Sequence, residues 1–596
     1  MRKLNFNIKF KHFTIIFPFV LFIISSGSSY YSNKTSVSGS KFNIVSVYQS
    51  YDKNNLNSQN DIAVKFNERV KLGLNYNKIK LLNEKKLVAF SKSLINNILY
   101  IHPKIAFSFD KKYSLIIPNN AVLGLNSKEH NAYKAFNLSP DKLIEDNTND
   151  RDDFKTSANE FYNYTVSNYP FLEMSKTITG FDFKANKSNI INKLSMSKDQ
   201  DEFNANILKV VNKLVPGTHT RPVNMTLYSP KDFDFIYLNG EYVIVNSTNP
   251  DIKIGDIVNK INGRNIDDYI KKGDNVLISN FDWNRNKLIS NRGVFLSNSD
   301  LILTITNLAD IENDFNVSMK KIMKNFSLNT QITQLSTYDI TTKIIKENET
   351  AYVKVPTFNN IDFKKIDEFL KIIQNYKYLI IDVRNNAGGD LNLSRQLMSR
   401  ITNQPKTITN YICIKSTPIM IDKNKLPYNF YDETELLTKA IKNSSSILPV
   451  YVKNNDYTVY KVKINIRPNI TRFNGKVYIL TNNSCFSATE YFCNTMKRMD
   501  AASLVGGYTG GDGILFVPVL KSLLYDLANI SYSYTIGIQD DGIINQLEHT
   551  KPNYYVEQDK NSYIKYLIQG GNFSDYDTAL NECLTLIDKD DNKFKE

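Results

Sequence analysis

From residue 42 to 138, apolar and polar positions alternate in short runs. Ile62, Val64 and Phe66 do so in "DIAVKF", and Tyr113, Leu115 and Ile117 in "YSLIIP", with "LYIHP" between them. A period of two puts one side of each run on a core, and the Asn, Gly, Lys and Pro clusters between runs are turn formers. The pattern predicts half-buried strands in a β-sandwich. It stops at "SPDKLIEDNTNDRDDFKTSANE" (139–160), whose Asp and Asn content fits a linker or an exposed helix. In "DEFNANILKVVNKL" the residues Phe203, Ile207, Val210, Val211 and Leu214 share one helical face, predicting a helix that ends at Pro216-Gly217. "IKIGDIVNKINGRNIDDYIKK" (252–272) reads as an Asp-containing turn, a strand, a tight Asn-Gly turn and a helix.

From residue 350 the spacing changes again. "AYVKVPTF" is a strand, Ile366, Phe369, Leu370 and Ile373 mark an amphipathic helix, and "YLIIDV" is continuously apolar. "RNNAGGD" is a glycine turn leading to a helix at 393–401. "KVYILT" is another strand, followed by a helix starting near Ser487 and by the strand "ASLVGG". Strands apolar on both faces and alternating with helices imply a right-handed, largely parallel α/β core. Function in such folds gathers at the C-terminal ends of strands, where both 385–389 and 483–487 fall.

The N-terminus adds a compartment. Arg2, Lys3, Lys9 and Lys11 precede "FTIIFPFVLFII" and then "SSGSS", the order of a secretory signal over residues 1–29. The apolar run is shorter than the roughly 20 residues of a membrane span. No cysteine sits at the cleavage region to carry a lipid, so the expectation is a secreted or cell-surface protein. The net charge of +14 is scattered through an Asn- and Lys-rich chain of 596 residues rather than gathered in a block. It therefore reads as solubility, and no nucleic-acid partner is expected. Cys413, Cys485, Cys493 and Cys583 are too few for a disulfide framework and read as small buried hydrophobes. No spacing suits a metal, and no cofactor is implied.

Ser487 has two readings. Ser487-x-x-Glu490 is a capping-box pattern, sufficient for a purely structural role. A hydroxyl at a helix N-terminus also lies beside backbone N–H groups and the positive end of the helix dipole. An oxyanion formed there would receive the Ala488 N–H and a second donor from the Gly388-Gly389 turn. Serine needs a base, and the chain has five histidines. His12 lies in the signal, and His102 and His130 lie in the sandwich segment. His219 in "VPGTHTRPV" and His549 in "NQLEHTKP" both remain, and the residues alone do not choose between them.

Larger blocks carry resemblances. The strand order across 42–138 resembles the Ig-like domains of bacterial surface proteins, and 252–272 resembles the second half of a PDZ domain. "AYVKVPTF", "YLIIDVRNNAGGD", "KVYILTNNSCFSATEYF", "LVGGYTGGDG" and "DDGIINQLEHTKPNYYV" occur in the order of the C-terminal processing (tail-specific) protease and tricorn-core family of serine peptidases. "DEFNANILKVVNKLVPGTHT" resembles the helix ending in Gly-His-Thr of its histidine-using branch. The resemblance covers roughly 165–560. It implies Ser487 as nucleophile, His219 as base, and Gly388 with the Ala488 N–H as the oxyanion hole. The lysine-using branch has its base in a turn that here reads "TGGDG", with Asp512 in the lysine's place, so a Ser-Lys dyad is absent. The histidine branch orients its base with a preceding hydroxyl, here Thr218, and a glutamate in the closing strand. That glutamate is Gln546 here, with Glu548 two residues on. Glutamine cannot stabilise an imidazolium by charge.

The resulting expectation is multidomain: a signal (1–29), an Ig-like β-sandwich (42–138), a linker and helical segment ending at the His219 loop (139–224), a PDZ-like domain (225–335) and an α/β, ClpP/crotonase-like catalytic domain (345–590). The function expected is an exported serine endopeptidase acting on peptides or unfolded protein. The alternative is an inactive homologue that binds peptides or the cell wall. A polyanion-binding surface protein, resting on charge alone, would bind with a steep salt dependence.

Overall fold

The computed structural model describes residues 42–49, 62–84, 86–104, 113–138, 150–215, 217–223, 225–273, 275–278, 280–322, 339–415, 436–439, 457–514, 518–524 and 527–593. The expected signal lies outside them. The chain divides after Asn147 into two compact units.

The first unit has two four-stranded antiparallel sheets. One runs in the order Ile44–Gln49, Ile62–Phe66, Ile98–Pro103, Phe90–Ile95, and the other Lys134–Leu138, Tyr113–Ile117, Lys80–Asn83, Lys86–Leu87. Residues Val64, Phe66, Leu81, Leu99, Leu115 and Ile117 share one core. The alternation at Tyr113–Ile117 is as expected, whereas Ile62–Phe66 is buried along both faces.

The second unit begins with the helices Asp150–Asn168, Leu172–Thr179, Lys187–Ser195 and Gln200–Val211. The first is not an exposed linker helix, because Phe154, Ala158 and Phe161 are buried in a core shared with Phe203, Ile530 and Ile536. Phe203, Ile207, Val210 and Val211 are buried as the period requires, but the helix stops at Val211, earlier than expected. Residues 233–317 form an antiparallel sheet in the order Phe233–Leu238, Glu241–Ser247, Ile257–Ile261, Leu301–Thr306, Glu312–Val317, with the helix Ile266–Lys272 after the Asn262-Gly263 turn.

The α/β part has a sheet in the order Thr341–Lys346, Thr350–Lys354, Tyr378–Asp382, Lys476–Thr481, Ser503–Gly506, Tyr554–Tyr555, parallel except at its first pair. The helices Phe363–Ile372 and Ala488–Arg498 contribute to the core on one face, and Thr578–Lys593 buries Leu580, Cys583 and Ile587 on the other. A second, antiparallel sheet (Leu436–Lys439, Tyr457–Ile466, Lys406–Lys415, Thr535–Gln539) was not expected from the helix–strand alternation.

Arg384 locks the C-terminal segment to the end of the strand Tyr378–Asp382. Its guanidinium donates to both oxygens of Asp382 (2.9 and 2.6 Å) and both of Asp577 (2.7 and 2.6 Å). Burial pushes the Asp382 carboxyl up, but Arg384 more than offsets this and holds it below the usual range. Arg384→Met leaves two acids without their cation and is expected to destabilise the second unit by about 3–5 kcal/mol, read from its urea midpoint.

Candidate active site

The strand Lys476–Thr481 ends in the loop Asn482–Phe486, and the helix Ala488–Arg498 begins directly after Ser487. Ser487 has φ 57° and ψ −117°, a conformation rarely adopted by a residue with a Cβ. Its hydroxyl makes no capping bond. Glu490 does not reach back to the Ser487 N–H, which donates instead to the Gly511 carbonyl at 3.3 Å. The capping-box pattern is therefore not formed. The backbone turns the hydroxyl away from its own helix, as in the strained strand-to-helix elbow that exposes a nucleophile.

His219 Nε2 lies 3.0 Å from Ser487 Oγ. The base comes from 268 residues upstream, and a short ladder fixes its place. The strand Arg221–Pro222 pairs antiparallel with Ile530 and Ser531. The His219 N–H donates to Ser533 Oγ at 2.8 Å, and the Ser533 N–H to Thr220 Oγ1 at 3.0 Å. The imidazole also packs on Phe486, with ring centres 4.5 Å apart.

On the far side of the ring, Nδ1 lies 2.5 Å from Asp512 Oδ2. That oxygen also receives the His219 N–H (2.8 Å) and the Ser533 hydroxyl (2.9 Å). Asp512 is completely buried, which pushes its carboxyl up, but His219 more than offsets this and holds it below the ordinary carboxylate range. An ionised carboxylate only accepts, so Nδ1 carries the proton and Nε2 presents its lone pair to the Ser487 hydroxyl.

The expected orienting residues do not occupy this position. Thr218 is buried, and its hydroxyl accepts the Thr220 N–H at 3.4 Å. Gln546 Oε1 accepts the Gly537 N–H at 3.0 Å, while its amide side helps hold Asp512 low without closing to hydrogen-bond distance. Glu548 is exposed. The carboxylate comes from the glycine turn rather than the closing strand, so the residue standing in the lysine's place is the one on the imidazole.

Asp512 adopts φ 57° between two glycines, a region aspartate tolerates better than most residues. The turn is held from below. Gly511 N–H donates to Glu490 Oε2 (3.1 Å), Gly513 N–H to Asn545 Oδ1 (2.8 Å), and Asn545 Nδ2 to Glu490 Oε1 (2.7 Å), with the Thr550 hydroxyl on the same oxygen. Burial raises the Glu490 carboxyl.

Ala488 opens its helix, so its N–H has no intrahelical acceptor. A Cβ built on Gly388 (φ +105°) would lie 2.9 Å from Ala488 N and from Ser487 Cβ, so the glycine turn abuts the nucleophile. Its N–H, however, donates to Asn386 Oδ1 at 2.9 Å. Gly388 thus stands beside Ser487 and the Ala488 N–H, with its own N–H engaged inside the protein. Gly388→Ala is expected to lower kcat by about 10²–10³-fold, because the added carbon disturbs both donors; steady-state kinetics on one peptide checks this.

His549 does not face Ser487. Its Nδ1 donates to the Thr509 carbonyl at 2.9 Å, its ring packs edge-on to Trp283 at 5.3 Å, and its imidazole approaches Gly217 and Gly511. Burial pulls its pKa down to about 4. Below the unfolded value of about 6.5 the unfolded chain takes the proton first, so stability falls as pH drops from there towards 4. His549→Gln is expected to lose part of that acid sensitivity, seen in unfolding midpoints across the window. The four cysteines are buried and unbridged, as expected.

A cavity of about 450 Å³ opens between Phe281 and Trp283 on one side and Asn483, Tyr508 and Tyr555 on the other.

Residues 349–519 match the family model of peptidase family S41. No curated protein matches the sequence. Among solved structures, mature CPAF is similar with a TM-score of 0.50 at 13% identity, over 70% of this chain and 96% of that one. The photosystem II D1 C-terminal processing protease is similar with a TM-score of 0.35 at 12% identity, over 69% and 97%. The tricorn protease has a TM-score of 0.32 at 12% identity, over 89% of this chain and 46% of that one. The match to peptidase family S41 spans residues 349–519, the segment that carries Ser487, and supports a serine-type peptidase.

Proposed function

We propose that the protein is an exported endopeptidase that cuts peptides or unfolded proteins through Ser487, His219 and Asp512. The observation that carries this is the chain of contacts from Ser487 Oγ to His219 Nε2 (3.0 Å) and from Nδ1 to a buried carboxylate (2.5 Å). Ser487 Oγ attacks the scissile carbonyl carbon as its proton passes to His219 Nε2. Asp512 stabilises the imidazolium and keeps the ring oriented. The negative charge on the carbonyl oxygen is met by the Ala488 N–H and by the Gly388 N–H, for which it competes with Asn386. His219 then gives the proton to the leaving amine. Water, deprotonated by the same imidazole, attacks the acyl-enzyme and releases Ser487.

The segment 225–335 is read as PDZ-like, taking an extended peptide by strand addition, and 42–138 as an Ig-like spacer or wall-binding module. A second reading, a peptide-binding homologue that does not turn over, draws on the Gly388 N–H being engaged by Asn386. Incubating the full chain with an unfolded protein separates the two. Fragments that vanish in Ser487→Ala support the peptidase. Intact substrate retained equally by parent and Ser487→Ala supports the binder.

A further inference from the structure

We infer that Arg221 is a specificity-determining residue, whose guanidinium binds a carboxylate of the peptide on the Phe486 side of Ser487. The inference rests on Ser487 and His219 being the cutting site.

Arg221 stands two residues after His219, so the ladder that seats the base seats this guanidinium as well. Its Cζ lies 6.0 Å from the centre of the Phe486 ring, on which the His219 ring also packs, and the residue after Phe486 is Ser487. The cation, the base and the nucleophile therefore meet around one buried aromatic side chain. Arg221 is half-buried, and burial pulls its pKa down to about 10, which leaves it charged at neutral pH.

Four other arginines that are partly withdrawn from solvent hold carboxylates: Arg285 holds Asp282 and Glu557, Arg384 holds Asp382 and Asp577, Arg400 holds Asp367, and Arg498 holds Asp540. Arg221 has no such partner among the described residues. Asp512, the acid whose charge it feels, is sealed from solvent and already receives three hydrogen bonds on one oxygen. A planar guanidinium in that position suits a carboxylate brought from outside, with two parallel N–H···O bonds. Two sources carry that chemistry: an Asp or Glu side chain near the scissile bond, or the free C-terminus of the substrate.

The test uses two peptide pairs that share one core sequence. In one pair an acidic residue near the scissile bond is exchanged for its amide; in the other a free C-terminus is exchanged for an amidated one. The parent is expected to favour the carboxylate member of one pair by about 10- to 100-fold in kcat/KM, the size of a charge-assisted contact, and that pair names the source. Arg221→Gln is expected to bring the ratio close to one. Arg221→Glu is expected to turn the preference towards a lysine-bearing peptide, a reversal that a merely structural arginine would not give. A parent ratio near one in both pairs, or a preference that survives Arg221→Gln, overturns the inference. Labelling of Ser487 by an organophosphorus fluoride reports in each variant whether the nucleophile is intact. A parent that neither labels nor cuts sinks the peptidase reading instead. Binding of the same pairs to Ser487→Ala then still decides whether Arg221 selects a carboxylate.

Discussion

Ser487→Ala and His219→Ala are each expected to lower kcat on an unfolded protein by about 10⁶-fold, with the double variant no slower than either single one. The expectation follows from geometry. The 3.0 Å contact joins a hydroxyl that is inert at its own pKa to the imidazole beside it, so removing either member stops proton transfer. Independent contributions would multiply, whereas members of one unit do not. Residual turnover would come from the Ala488 N–H and from substrate positioning, which neither substitution touches. A second drop in the double variant would mean that the two side chains act separately.

Asp512→Asn is expected to cost about 10⁴-fold in kcat with the fold retained. An amide of the same shape can donate to Nδ1, which favours the tautomer with its proton on Nε2, where the Ser487 proton must go. It also lacks the charge that stabilises the imidazolium. Gln546→Ala is expected to cost less than about tenfold, because that side chain does not reach the ring. Steady-state kinetics on one peptide compares the two. The same group adds its own part to the acid response. Its folded pKa lies below the unfolded carboxylate value of about 3.9, so its contribution to stability is present above that pH. The contribution is lost as pH falls through the folded value, and the Asn variant lacks that part of the acid response.

The strands and helices of the α/β part were legible because continuous apolar runs and helical spacing are local signals. Tyr378–Asp382, Lys476–Thr481 and the buried face of Phe363–Ile372 stand where those signals put them. The antiparallel sheet was not legible, since its strands pair across long separations, as when Lys406–Lys415 joins both Tyr457–Ile466 and Thr535–Gln539. Ser487 was legible as chemistry and His219 only through the family resemblance, and the choice between cap and nucleophile was not legible because a positive φ leaves no trace in residue types. Asp512 was visible and assigned no role. Comparison with a lysine-bearing turn made it look like a loss, and only the pairing of Arg221–Pro222 with Ile530 and Ser531 brings an imidazole to it. The residues around Gln546 drew attention because they matched a pattern, yet the contact they were expected to make is supplied from 34 positions earlier in the chain.

The most direct test of the central claim is the mass of the peptide containing Ser487 after treatment with an organophosphorus fluoride, in which Ser487 Oγ displaces fluoride from phosphorus. A single adduct on Ser487 is predicted in the parent, slowed strongly in Asp512→Asn and absent in His219→Ala. Peptide hydrolysis by a chain whose Ser487 stays unmodified, or an adduct on Ser487 that forms as fast without His219, would contradict the account.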